Sequence, residues 1–289
     1  QEQGGHLAIM RQLKLDFRKL ELDSWAYRAN KWDTVTEPVK IAIVGKYTGL
    51  GDSYLSVTKA LMHSAISADR KLDIVWVEAG LLEDNTLADD PPGHAEAWAK
   101  VHNVDGILVP GGFGERGTEG KILAAKYARE NQVPFLGICL GFQMAVVEFA
   151  RNVVGLEGAN STEIELNCAY PVIDELPDQK EIEGLGGTMR LGGQDVHITD
   201  DSLAAQLFAA THVRERFRHR YEVEPKFIQQ LTDAGLIFSG RHPEHEIMQV
   251  LELPSNIHPY FIAGQFHPEL TSRPLRPQPM FMGLVAAAI

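Results

Sequence analysis

The chain has 289 residues, 44% of them hydrophobic and 23% charged, which suits one large α/β domain or two small ones with a sizeable core. A formal net charge of −12 makes it a poor candidate for general binding to nucleic acid or to an anionic membrane surface. No apolar run approaches the ~20 residues that span a bilayer, "QEQGGHLAIMRQ" lacks the layout of a signal peptide, and two cysteines cannot staple so long a chain, so a reducing, cytoplasmic setting is expected.

Residues 6–30 carry apolar side chains at mixed helical spacings (Leu7, Met10, Leu13, Phe17, Leu20). "DSWAYRANKWDTVTEP" then reads as a polar joint closed by Pro38. Residues 1–36 are therefore expected to be a linker or helical appendage, and residues 37–289 the folded domain. After Pro38 strands and helices alternate. "VKIAIVGKY" is a buried strand, and "DSYLSVTKALMHSAISA" a helix with Asp52 as its expected N-cap. "LDIVWVEA" is a strand, "HAEAWAKVH" a short helix, and "VDGILVPGGFG" a strand running into a glycine loop. "EGKILAAKYAREN" is a helix, and "VPFLGI" a strand followed by a helix over about 140–150. Such alternation with short connections predicts a parallel sheet covered on both faces. From about residue 170 the pattern changes to short strands with Gly- and Pro-bearing turns ("YPVIDEL", "GTMRLGGQDVHI", "HRYEVEP", "LIFSGRH", "IMQVLELP", "YFIAGQFHPE"). These should add antiparallel strands to a mostly parallel α/β core, and a helix over about 278–288 closes the chain.

Ligands of open α/β sheets bind outside the carboxyl ends of the strands. Cys139 falls at such an end, in G-x-C-x-G with a helix starting at once, which is a nucleophile elbow with Cys in place of Ser. A sharp strand-to-helix turn needs small residues two places to either side, here Gly137 and Gly141. The helix N-terminus supplies unpaired N–H groups and a positive dipole end, which favour a thiolate and can hold an oxyanion. Cys168, in "ELNCAYPV", has no flanking glycines and reads as structural. The loop "VPGGFGERG" is not a Walker loop, but its strand-end glycines would expose N–H groups beside the next strand's end.

A thiol nucleophile needs a base, and the base needs a group that fixes its tautomer. In "GQFHPEL", His267 and Glu269 are two apart on an extended segment and so share a face, with Pro268 stiffening the link. A zinc deaminase also carries HxE but requires a PCxxC partner, which is absent. "RHPEHE", with His242 and His245, reads as a polar turn, and no metal site is expected.

Together "PGGFG", "GICLGFQ" and "QFHPE" resemble the class I glutamine amidotransferases, whose flavodoxin-like fold carries a Cys-His-Glu triad. "KIAIVGKYTGLGDSYLSVTKAL", "VPGGFGERGTEGK", "NSTE", "GGTMRLG", "RHRYEV" and "FHPELTSRP" are similar, more closely, to the glutaminase domains of CTP synthases. The resemblance implies that Cys139 attacks the side-chain amide of glutamine, that His267 moves the proton, and that Glu269 orients His267. It places the oxyanion hole at the N–H groups of Gly112 and Leu140 and the glutamine head group at Gln143, Glu163 and Arg220. Read without it, Arg220 belongs to "RERFRHR", a charge run of the kind usually solvated. The resemblance also implies GTP as an allosteric activator near Lys46, Arg116, Gly117 and Glu119, and no cofactor in this domain. In the family, ATP, Mg and UTP act on a preceding synthetase domain, which uses the ammonia to make CTP. The chain shows no Walker-type loop and has only some 36 residues before the domain, so it is expected to be an excised or separately made glutaminase domain, with residues 1–36 as interdomain linker and that synthetase partner absent. One departure is the segment after "NSTE", which reads "IELNCAYPVIDEL" where the family continues with aromatic and acidic residues. The rivals are a glutaminase serving another synthetase, disfavoured by "GGTMRLG"; a thiol hydrolase or peptidase, disfavoured by the Glu163/Arg220 pair; and a non-catalytic nucleotide-binding module, disfavoured by the complete triad.

Overall fold

The computed structural model describes residues 3–17, 21–175 and 189–289. Two helices open the chain, α1 (Gly5–Gln12) and α2 (Asp23–Thr34). The second replaces the polar joint expected there: it docks beside the next helix through Arg28 on Ser67 and a Lys31–Asp69 ion pair of 2.6 Å, contacts that local polarity does not announce.

The sheet begins with β1 (Pro38–Gly45), α3 (Leu55–Ser67) and β2 (Lys71–Glu78). Asp52 does not cap α3. It lies in a short 3-10 turn, and α3 starts after Tyr54, whose hydroxyl is tucked under β1 to accept the Lys46 N–H at 3.0 Å. Next come α4 (Asp84–Asp89) and α5 (Pro91–Val101), the latter capped by the Asp90 side chain on the Gly93 N–H. Then follow β3 (Gly106–Val109), α6 (Thr118–Glu130), β4 (Phe135–Ile138) and α7 (Leu140–Phe149).

The later part contains β5 (Ala159–Ser161), β6 (Tyr170–Asp174), β7 (Arg190–Ile198), α8 (Leu203–Phe208), β8 (His212–His219) and β9 (Glu222–Val223). It closes with α9 (Pro225–Asp233), β10 (Ile237–Arg241), β11 (Met248–Glu252), β12 (Phe261–Gly264) and α10 (Pro279–Ala287). The large sheet has the order β2-β1-β3-β4-β12-β11-β10-β7-β8. Its first five strands are parallel and the remaining pairings antiparallel, as the change of pattern near residue 170 implies. A small sheet, β5-β6-β9, stands apart. The "GG" and Thr188 of "GGTMRLG" lie outside the described residues.

Alternation along β1 explains the two-sided core. Val39, Ile41 and Ile43 pack with α3 and α10, whereas Ala42 and Val44 face the side of α6 and α7. The return of the chain to the centre of the sheet matters most for the site. β12 lies parallel to β4, with Gly264 opposite Ile138, and Phe261 stacks on Phe135 at 4.5 Å. Such ring pairs contribute ~0.5–1.5 kcal/mol beyond their burial. Three loops thereby leave the same end of adjacent strands: those after β3, β4 and β12.

Candidate active site

Cys139 joins β4 to α7 with φ 53° and ψ −103°, a conformation costly for any side chain. Its surroundings leave no room to relax. A Cβ at Gly137 would lie 2.8 Å from the Gly141 carbonyl oxygen, and one at Gly141 only 2.1 Å from that of Val109. Both glycines are therefore required by close approach of backbone, as the elbow reading holds. The Cys139 N–H donates to Gly264 O at 2.8 Å, pinning the elbow to β12.

His267 follows β12. Its backbone N–H donates to Arg216 O at 2.7 Å, and its Nδ1 is 2.8 Å from Glu269 Oε1. Nε2 is buried and has no hydrogen-bond partner among the described residues. A methyl at Gly111 would lie 2.9 Å from His267 Cε1 and 3.4 Å from Cys139 Cβ, so ring and thiol flank one point. Burial works against a charged ring, but the Cys139 sulfur and the Glu269 carboxylate outweigh it and raise the His267 pKa from 6.5 to about 10. The arrangement stabilises the His267 ring once it holds a proton.

Two cavities meet at the thiol. One, of about 320 Å³, is lined by Gly112, Gln143, Glu163 and Arg220 together with Phe113 and Tyr221. The other, of about 270 Å³, reaches His267 and Glu269 past Gly111 and Gly112. All the residues assigned to glutamine thus gather around Cys139, Leu140 by being the first residue of α7. Gln143 is buried, donating to Tyr221 O at 2.9 Å and Gln265 Oε1 at 3.2 Å. Glu163 accepts the Gly114 N–H at 2.9 Å, which ties the carboxylate to the glycine loop. Arg220 is exposed at the end of β8.

The run "RERFRHR" is not a solvated stretch. It forms β8, with Glu215, Phe217 and His219 buried and the arginines between them outward. The edge of the sheet turns back over the strand ends here, because Arg218 O accepts the Cys139 thiol (3.8 Å) and Arg216 O holds His267. Contributions from Arg218 and Tyr221 are made by backbone carbonyls, for which the sequence carries no side-chain signal. Phe113, Met189 and His219 also line the cavity and were not expected.

Of the residues assigned to GTP, Lys46 and Arg116 brace the glycine loop. The Lys46 amine donates to Phe113 O (2.5 Å) and Gly114 O (3.0 Å), and burial lowers its pKa. Arg116 donates to Lys46 O at 2.8 Å and lies over the Tyr47 ring, and Gly117 takes φ 75° just before α6. Glu119 instead pairs with Arg151 at 2.7 Å. His242 accepts the N–H groups of Glu244 and His245 in a polar turn, and among the described residues no His, Cys, Asp or Glu cluster could hold a metal. Cys168 is partly buried, which raises its thiol pKa. No described helix is long and apolar enough to cross a membrane.

Comparison with known proteins agrees with this geometry. The family model for glutamine amidotransferase class-I matches residues 50–287. A CTP synthase of Thermococcus kodakarensis is 51% identical over 97% of this chain and 50% of its own length, and that of Bacillus subtilis 43% identical over 100% and 52%. The chain thus spans about half the length of the curated relatives it matches. The structure described as the Trypanosoma brucei CTPS glutaminase domain with bound acivicin superposes with a TM-score of 0.78 and 38% identity, over 86% of this chain and 93% of that one.

Proposed function

The chain belongs to the class I glutamine amidotransferases, and from that premise we propose that it hydrolyses L-glutamine to glutamate and ammonia through a thioester on Cys139. The carrying observation is the His267 ring, whose Nδ1 is engaged by Glu269 at 2.8 Å while its buried Nε2 is left without a hydrogen-bond partner among the described residues. His267 takes the thiol proton as sulfur attacks the amide carbon. The tetrahedral oxyanion is held by the N–H groups of Gly112, in the glycine loop, and Leu140, at the helix N-terminus. The C–N bond then breaks, and His267 returns the proton to the departing ammonia. In the second half, His267 takes a proton from water, which attacks the thioester and releases glutamate. Glu163 pairs with the substrate ammonium and Arg220 with its carboxylate, a combination that suits a free amino acid rather than a peptide.

The wider role follows from the relatives, which are named CTP synthases. The ammonia would serve a synthetase domain of that enzyme, which phosphorylates UTP with ATP and Mg before amination, and residues 1–36 would be the joint to it. GTP would activate by stiffening the glycine loop that Lys46 and Arg116 already brace. A cytoplasmic setting fits this role. Release of glutamate and ammonia from glutamine tests the reading. The unaltered chain should turn over glutamine and Cys139→Ala should not, whereas equal turnover by both, or none by either, would overturn it.

A further inference from the structure

Lys121 is one of the largest fully buried side chains among the described residues, and its amine has no hydrogen-bond partner there. It also stands in the first turn of α6, where the positive end of the helix dipole opposes a cation. A buried, unpaired charge at the wrong helix end harms stability, so nothing in the packing explains the residue. Its placement was forced by its neighbours. Gly120 lies against the backbone of Ala79, where a Cβ would come within 1.8 Å of the carbonyl oxygen, so the turn is pressed onto the end of β2. The Lys121 side chain runs inward beneath the glycine loop. Its Nζ lies 3.4 Å from the point a Cβ of Gly112 would occupy.

We propose that Lys121 is a positioning residue for acylation of Cys139: its buried amine supports the loop at Gly112 and supplies positive charge when negative charge develops at the thiol and in the oxyanion hole. The inference rests on the glutaminase reading for its substrate, but its effect on the thiol does not. The charged groups around it agree. Burial lowers the Lys121 pKa from 10.5 to about 7; Lys46 acts in the same direction, while Cys139, Glu78 and Glu163 oppose it. Near neutrality the amine is poised, and an anion at Cys139 favours its protonated form. By linkage the protonated form favours the anion to the same degree. In this arrangement Lys46 braces the outer carbonyls of the loop and Lys121 sits under its centre.

The test replaces Lys121 with Met, which keeps length and volume but removes the charge. Four quantities are compared with the unaltered chain: the rate of Cys139 carbamidomethylation by iodoacetamide at pH 7, read by peptide mass spectrometry with Cys168 as internal control; kcat and KM for glutamine; and Tm. Expected are a loss of about tenfold in both the alkylation rate and kcat, KM within about twofold, and a Tm equal or higher. The loss is smaller than the ~10²–10³-fold cost of deleting a direct oxyanion donor, because Lys121 acts one layer behind. Lys121→Gln, neutral but polar-ended, should be as slow as the Met variant. Unchanged alkylation and kcat in Lys121→Met, full rates in Lys121→Gln, or rates that fall only with a lowered Tm would each overturn the proposal. If alkylation depends on Lys121 while the unaltered chain leaves glutamine intact, the glutaminase reading fails and the support of the thiol by Lys121 stands.

Discussion

The half of the site built by residues 104–149 and the half built by residues 189–269 meet at one cavity but are specified in different ways. The first is local. A buried parallel strand, a glycine, the thiol, a second glycine and a helix follow within a few residues, and backbone packs on backbone with no slack. The second is assembled at a distance. His267 is set by the parallel register of β12 on β4, while β8, at the far edge of the sheet, holds both Cys139 and His267 through carbonyls. A nucleophile in a strained turn must be encoded where it stands, whereas its base can be delivered by sheet register and adjusted by contacts distant in sequence.

That contrast predicts unequal tolerance. Gly141→Ala should have the largest effect, because its Cβ would meet the Val109 carbonyl oxygen at 2.1 Å. A cost of about 3 kcal/mol or more is expected, with loss of activity. Gly192→Ala, in the distal half, meets nothing within 4 Å and carries only the strain of its positive φ, roughly 1–2 kcal/mol. Chemical denaturation of the two variants decides, and equal losses would erase the distinction. Next in size is His267→Ala, expected to slow thioester formation by ~10²–10⁴-fold in single-turnover assays with glutamine. Glu269→Gln should cost less, since an amide still positions the ring but stabilises its charged form poorly.

Stability should also follow pH through His267. Its pKa is raised from 6.5 to about 10 in the folded chain. Its stabilising contribution is therefore complete below about 6.5 and lost as pH climbs through about 10. The Tm difference between the unaltered chain and His267→Ala should shift against the unaltered chain across that window. The smallest effect belongs to the polar turn: His242→Ala, remote from both halves, should stay within about 0.5 kcal/mol and keep full glutaminase activity.

The same asymmetry decided what could be read in advance. The elbow, the glycine loop and the His-x-Glu pair were legible because each is a short pattern with a mechanical reason. The alternation of strands and helices gave the parallel core, and the shift near residue 170 gave the antiparallel addition. What escaped depends on tertiary contact. The helix over Asp23–Thr34 is polar in sequence and finds its partners at Ser67 and Asp69, at and just past the end of α3. Residues 214–220 read as a charge run because four arginines alternate with the buried Glu215, Phe217 and His219. Asp52 looked like a cap, but Tyr54 delays the helix by anchoring under β1. Lys121 looked like any helix lysine, since burial of one side chain under a loop leaves no mark in the order of residues.

The central claim, that the strained thiol at residue 139 is the nucleophile toward glutamine, is met most directly by covalent labelling. The unaltered chain is treated with a chloroketone analogue of glutamine, with and without glutamine as competitor, and both cysteines are mapped by mass spectrometry. The account predicts modification of Cys139 alone, suppressed by glutamine and slowed in His267→Ala. Equal modification of both cysteines, modification of Cys168 alone, or labelling of Cys139 that glutamine does not suppress would contradict it.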